Sequence, residues 1–372
     1  MRGKNEFYFQ IEFQMILVID QLIKGIQLPE KGVQLIALPA LKITNQTLVE
    51  LKAKALLVRS VTKVNSALLQ DTDVHFVGTV TSGTDHIDIP WLEKNKITWV
   101  NAPGANAHAV VEYIVACVAA LIGAGIIDYP TQTGRAGIIG MGTIGSRVRE
   151  VLLKLGYQVV VNDPPKAASF SDFSSTSLEN FKNLDLICVH AELTRSGPFP
   201  SYHLLTDAFF KQQKAGCVLI NAARGGIIAT EVLLKSPHLY LCLDVWEQEP
   251  IIDKQLLSMA TIATPHIAGY SYEAKERAVD LIQDKMASYF NWPIRSASVT
   301  KLKTDQTNDF PHSINLNNTK NWVSTVQSCF NLIDHTRVMK REIRKYSGEK
   351  AGKTFESLRQ PFACRHEFLN SE

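Results

Sequence analysis

Cysteine is scarce in this sequence and never paired: six occur in 372 residues, with no close couple spaced for zinc and no dense disulfide framework. Cys188, Cys217 and Cys242 sit in the apolar runs "LICVHA", "GCVLIN" and "YLCLDV", where a thiol serves as a small core residue. That usage indicates a reducing, cytosolic protein. A dominant charge is lacking as well. The 39 basic and 36 acidic residues leave a net charge of +3, without the concentrated basic face that nucleic acid requires. No nucleic-acid partner is expected. The opening "MRGKNEFYFQIEFQ" has no continuous apolar core and no small-residue cleavage site, so it does not read as a signal peptide. Residues 1–14 are expected to lie outside the fold, which starts with the strand-like "MILVID" at Met15. One long apolar stretch does occur, "AVVEYIVACVAALIGAGII" at 109–127. It contains Glu112 and breaks at Gly123 and Gly125, which argues for a buried helix and against a membrane span.

What is present is ordinary globular material, 45% hydrophobic and 20% charged, enough for two or three cores. From Met15 the short apolar segments "ILVID", "VQLIAL", "ALLVRS" and "VHFVGTV" alternate with longer stretches, the pattern of a small α/β domain with parallel strands. A second series begins at Gly137 with "GIIG", "QVVVND", "LDLICVH", "GCVLINAA" and "LYLCLDVW" at crossover spacing, which reads as a doubly wound sheet. A helical run follows at 271–290. Residues 293–310 are polar and read as a linker, and the charged, helical tail after it reads as a third, small module.

Gly140, Gly142 and Gly145 frame Thr143 and Ile144 in "GMGTIG", after a strand and before a helix. In such a loop the first glycine permits a tight turn, the second lets backbone approach a pyrophosphate, and the third lets helix and strand pack closely. Asp163 ends the next strand, in position to accept from the ribose hydroxyls and to repel a 2′-phosphate, so NAD is the expected cofactor. Its local alternative is a helix cap before "PP". Lys166 nearby softens the preference against a 2′-phosphate.

Three later strands end in "NAARGG" with Arg224, "DVWEQEP" with Asp244 and Glu249, and "TPHIAGY" with His266. Ligands in an open α/β sheet bind beyond the carboxyl ends of its strands. Arginine offers a planar fork for a carboxylate, histidine an acid–base group near neutral pH, and glutamate an acceptor that orients the histidine. Together they fit the oxidation of a 2-hydroxy acid. Taken singly, each has an ordinary structural reading as a loop or turn residue.

In this order the motifs "GMGTIG", "NAARGG", "DVWEQEP" and "TPHIAGY" resemble those of the D-isomer-specific 2-hydroxyacid dehydrogenases. The resemblance extends through "VRSVTKVN", "GTDHID", "PGANAHAVVEY", "NDPPKA" and "FESLRQPFACRHEF". It implies two doubly wound Rossmann-like α/β domains, one for substrate (15–108, completed by helix 271–290) and one for NAD (109–270), plus a small C-terminal linker and dimerisation domain (291–372). The late position of the glycine loop then follows, since the chain builds the substrate domain first. Arg224, Glu249 and His266 are implied as the catalytic set, Asp163, Asp244 and Gly269 as NAD contacts, and Ser60, Thr81 and Tyr270 as contacts to a small phosphorylated 2-hydroxy acid. A homodimer is implied. For the phosphate, Arg59 and Lys63 beside Ser60 are candidate donors. The sequence departs from the family at "HAELTRSG", where Ala191 stands in place of a threonine expected to face the cofactor. Two other readings stay open: a dehydrogenase for other small 2-hydroxy acids such as 3-phosphoglycerate, glycerate or hydroxypyruvate, and an NAD(H)-sensing binding protein with weak catalysis.

Overall fold

A computed structural model describes residues 15–129, 133–293 and 322–369; the expectations for residues 1–14 and for most of the linker fall outside these. The described residues form two compact units, one of 15–106 with 273–293 and the other of 107–129, 133–272 and 322–369.

The first unit is built on a parallel five-stranded sheet in the order β2-β1-β3-β4-β5: β1 (Met15–Asp20), β2 (Val33–Leu38), β3 (Ala55–Val58), β4 (Phe76–Thr79) and β5 (Thr98–Val100). The central strands read as unbroken apolar runs because both faces are covered, as parallel strands require. One cover is the helix Tyr272–Tyr289, whose Ala278, Val279, Ile282 and Met286 are buried with Leu17, Leu57 and Phe76. Gly78 lets it lie close. A Cβ there would meet Leu57 Cδ2 at 2.5 Å and Ile282 Cγ2 at 2.9 Å.

The second unit holds a parallel six-stranded sheet, ordered β11-β10-β9-β8-β6-β7: β6 (Arg135–Ile139), β7 (Gln158–Asn162), β8 (Leu186–Val189), β9 (Val218–Asn221), β10 (Tyr240–Leu243) and β11 (Ile262–Ala263). Successive strand residues face opposite sides. Ile138, Cys188, Ile220 and Cys242 therefore enter one core, and Ile139, Val189, Leu219 and Leu243 the other. Cys188, Cys217 and Cys242 are buried core residues, as their apolar contexts predict.

The apolar run centred on Glu112 is the helix Ala107–Gly123, buried in the first of these cores. No helix among the described residues is long and apolar enough to cross a membrane. The tail packs on the second sheet's cores. Residues 322–369 cluster with the second unit. Trp322, Val326 and Phe330 pack into the core of the helix Ala107–Gly123, while Met339, Ile343 and Phe355 join the opposite core. Thr336 Oγ1 accepts the N–H of Ala263, a donor on the edge strand β11. Burying these side chains on an existing core avoids the need for a separate core, which so short a segment could hardly build.

Candidate active site

The strand order of the second sheet reverses between β6 and β8, and Gly140 and His190 are the first residues past these two strands. A doubly wound sheet opens its ligand crevice at such a reversal. The three glycines divide their work as predicted. Gly140 turns the chain at φ +94°, and a Cβ on it would strike Ala191 N at 2.5 Å and His190 C at 2.6 Å. Gly142 has nothing within 4 Å of a built Cβ, an open approach at the start of the helix Thr143–Lys154. Gly145 is so close to the turn that a Cβ would come within 1.9 Å of Gly140 O. The first turn of that helix carries no side-chain cap, so its N–H groups point at the open space above Gly142. This cradle fits a dinucleotide pyrophosphate.

Asp163 has both the expected place and the local alternative. Its Oδ2 accepts from Met141 N at 2.6 Å in the glycine loop and its Oδ1 caps Lys166 N at 2.9 Å. Each oxygen keeps a second lone pair for a ribose hydroxyl. Lys166 donates from Nζ to Met141 O at 2.9 Å. Ala191 supports the glycine turn through its backbone, so the departure from threonine leaves that packing intact. His190 went unnoticed in the sequence. Both of its ring nitrogens are buried without a hydrogen-bond partner among the described residues, and burial pushes its pKa down to about 3, so it is neutral.

Arg224 follows β9, Asp244 and Glu249 follow β10, and His266 follows β11, which brings the predicted residues to one end of one sheet. Gly225 permits the join: a Cβ there would lie 2.1 Å from Trp246 C, so the Arg224 turn rests directly on the backbone that leads to Glu249. Arg224 Nη1 donates to Ala223 O at 2.7 Å. His266 Nδ1 and Glu249 Oε1 are 2.5 Å apart. Burial tends to raise the Glu249 carboxyl, but His266, the N–H of Trp246 and Arg359 outweigh it and hold it below the usual carboxylate range.

Asp244 supports the site from within the fold. It is fully buried under the His266 loop, and Thr264 Oγ1 at 2.7 Å, Ile267 N at 2.7 Å and Ala268 N at 2.9 Å all donate to it. Its carboxylate holds the loop that carries His266. Burial raises its carboxyl above the usual range against the pull of His266 and those donors. Thr264 in turn accepts from the buried Tyr113 hydroxyl at 2.7 Å. Gly269 and Tyr270 continue the same loop, with Tyr270 N donating to Ile267 O at 2.8 Å.

In the first unit Ser60 and Thr81 follow the carboxyl ends of the paired strands β3 and β4. Thr81 Oγ1 donates to Gly83 O at 2.7 Å, and Ser60 is exposed. Arg59 Nε pairs with buried Asp20 at 2.9 Å, and the arginine side chain remains 31% exposed. Lys63 is the exposed cation of that turn.

Residues 126–268 match the family model for the NAD-binding domain of D-isomer-specific 2-hydroxyacid dehydrogenases. An erythronate-4-phosphate dehydrogenase of Coxiella burnetii is 42% identical over 337 residues, which are 90% of this chain and 88% of that one. An erythronate-4-phosphate dehydrogenase of Legionella pneumophila is 41% identical over 315 residues, 84% of each chain. The solved NAD+-bound 3-phosphoglycerate dehydrogenase of Entamoeba histolytica superposes with a TM-score of 0.60 over 75% of this chain and 96% of its own, at 21% identity, a likeness of fold alone.

Proposed function

The chain belongs to the D-isomer-specific 2-hydroxyacid dehydrogenases, and from that membership and its likeness to the erythronate-4-phosphate dehydrogenases we propose that it oxidises 4-phospho-D-erythronate to 2-oxo-3-hydroxy-4-phosphobutanoate. In that role it would serve pyridoxal 5′-phosphate (vitamin B6) synthesis. The observation that carries the chemistry is the Glu249–His266 contact at 2.5 Å. When bound, NAD supplies the acceptor for the hydride of the substrate's C2. With Nδ1–H donated to Glu249, the other ring nitrogen, Nε2, is the base that takes the hydroxyl proton. Glu249 then stabilises the imidazolium. Arg224 holds the carboxylate and keeps C2 oriented.

The remaining assignments follow the same reading. The 15–106 unit is the substrate domain, in which Ser60, Thr81, Arg59 and exposed Lys63 are the contacts to the phosphorylated acid; Tyr270, on the loop after His266, is a further substrate contact. The backbone at Gly142, Thr143, Ile144 and Gly145 receives the NAD pyrophosphate, and Asp163 the adenosine ribose. Asp244 and Gly269 shape the loop beside the nicotinamide half. We place the enzyme in the cytosol, as its unpaired thiols suggest, and as a homodimer built through the C-terminal segment; light scattering of the purified chain tests the dimer.

The test of the activity is NADH formation with 4-phospho-D-erythronate and, separately, with 3-phosphoglycerate, a 2-oxo acid being added to regenerate any retained cofactor. Selective oxidation of the four-carbon substrate is expected. Equal turnover of both would refute the substrate assignment, and tight NADH binding without turnover of either would refute the catalytic one.

A further inference from the structure

Two arginines of the tail reach the loop that carries His266. Arg365 Nε donates to Tyr270 O at 3.0 Å, and its Nη1 pairs with buried Glu112 at 2.6 Å. Arg359 closes the helix Gly348–Arg359, and its Nη2 donates to Tyr270 Oη at 2.8 Å. Its guanidinium carbon lies 5.2 Å from the centre of the Tyr270 ring. One arginine thus holds the backbone of Tyr270 and the other its phenol.

Arg359 is an expensive way to fill that space. Its side chain is only 13% exposed, and its Nε is buried with no hydrogen-bond partner among the described residues. Its Nη1 is shared between the two oxygens of Glu356 at 3.2 Å, on its own helix. Packing alone would be met as well by an apolar side chain of similar length, since a buried ion pair seldom adds stability over a hydrophobic replacement. The charged and titratable groups that face Arg359 are Glu356 from its own helix, and Tyr270, Glu249 and Asp244 from the loops at the strand ends. Arg359 is among the groups that keep Glu249 ionised.

We infer that Arg359 is a positioning residue of the active site, contributed by the C-terminal segment: held by Glu356, it fixes the Tyr270 hydroxyl in the loop that carries His266. An oxygen that accepts from arginine must direct its own hydrogen elsewhere, which gives the phenol a defined donor direction. The same charge helps to keep Glu249 ionised, and the ionised carboxylate both accepts from Nδ1–H and stabilises an imidazolium. The inference rests on the catalytic reading of Glu249 and His266 and extends that machinery to a segment outside the doubly wound sheets.

The test compares the full-length chain with Arg359→Met, which keeps the stem and removes the charge, and Arg359→Lys, which keeps the charge and removes the fork. Three quantities are read: kcat and KM for 4-phospho-D-erythronate, NADH affinity, and the titration of the Glu249 carboxyl carbon by NMR, assigned with Glu249→Gln. In Arg359→Met, kcat falls by about tenfold or more, as loss of a charge acting on the transition state requires. NADH affinity stays within about twofold, a change of under half a kcal/mol. The Glu249 titration moves to higher pH. In Arg359→Lys the titration stays close to that of the parent chain while KM rises, because the contact to Tyr270 is lost. A folded, NADH-binding Arg359→Met with parental kcat and parental Glu249 titration would overturn the inference. If Arg359→Met does not fold, Arg359→Lys with parental KM overturns it. If the parent chain does not turn over the substrate, the functional reading fails by itself, and the Glu249 titration still decides on Arg359.

Discussion

Alanine at Gly145 and alanine at Gly142 should produce different defects, although the two sites lie three residues apart in one loop. At Gly145 the new Cβ would sit 1.9 Å from Gly140 O, 3.0 Å from Gly140 C and 3.5 Å from Ile138 Cγ2. An ordinary carbon-to-oxygen contact is about 3.3 Å, so the helix Thr143–Lys154 has to retreat from the turn by more than about 1 Å. Val148 and Leu152 of that helix are fully buried and would be pulled from their contacts. Overpacking of this kind costs about 1–3 kcal/mol. For a unit of this size that lowers Tm by about 2–12 °C. The retreating helix end also weakens NADH binding, since its N–H groups must reach the diphosphate. Gly142 presents the opposite case. Its φ of −71° and ψ of −161° suit any residue, and nothing lies within 4 Å of the added carbon. Stability should stay within about 0.5 kcal/mol of the parent chain.

The Gly142→Ala methyl group instead occupies space that the pyrophosphate must enter. NADH affinity should fall by about tenfold or more, about 1.4 kcal/mol. Thermal unfolding without ligand and NADH titration by fluorescence separate the two effects. Parental affinity in Gly142→Ala, or parental Tm in Gly145→Ala, would refute the division of work among the glycines.

Glu249→Gln keeps the shape of the side chain but removes the charge that stabilises an imidazolium; a charge-assisted hydrogen bond is worth about 1.5–3 kcal/mol, so kcat should fall by about 10–150-fold with NADH affinity retained. Because the folded protein holds the Glu249 carboxyl below its reference value of 4.5, this group contributes stability above that pH and the contribution is lost as pH falls through the lowered pKa; acid unfolding of Glu249→Gln should be correspondingly less steep. Arg224→Ala should abolish most turnover while NADH titration stays nearly parental, and equal loss of both would argue against a carboxylate-holding role. Asp244→Asn puts an amide where three donors converge, leaving at least one of them unsatisfied at about 1–3 kcal/mol, and should lower both Tm and kcat. Glu112→Ala strands Arg365, whose side chain is 8% exposed, and should cost about 3–5 kcal/mol with faster proteolysis of the tail; an unchanged Tm would show that the tail is held by its apolar contacts alone.

The parts legible in the sequence are those governed by local rules. The glycine loop could be located because its strand, turn and helix follow one another along the chain, and the strand ends because apolar runs of parallel strands stand out from their flanks. Arg224, Glu249 and His266 were readable as types suited to one chemistry. What stayed hidden depends on long-range pairing. Glu112 and Arg365 are 253 residues apart, and each alone looks like a solvated charge. The amphipathic tail shows an apolar stripe in its helices, but a stripe does not say which core it covers. The partners of Arg59 and Asp244 were invisible for the same reason: a charged residue at a strand end is equally apt to face a ligand or to be consumed by the fold.

His266 shows how such consumed charges serve the site. Its backbone is left-handed at φ +57°, an uncommon state for a residue other than glycine, which costs of order 1–3 kcal/mol. The conformation is held from below. His266 N donates to Asp244 O at 2.8 Å, while the Asp244 side chain gathers Thr264, Ile267 and Ala268 on either side of it. Tyr113, from the helix Ala107–Gly123, supports Thr264, and the same helix carries Glu112, which anchors the tail bearing Arg359 and Arg365. One helix turn therefore connects both supports of the loop, the carboxylate beneath His266 and the arginines around Tyr270. A long apolar helix with a glutamate and a tyrosine side by side is hard to explain as core filling alone. Glu112 and Tyr113, both fully buried, are placed where they fix the loop from two directions.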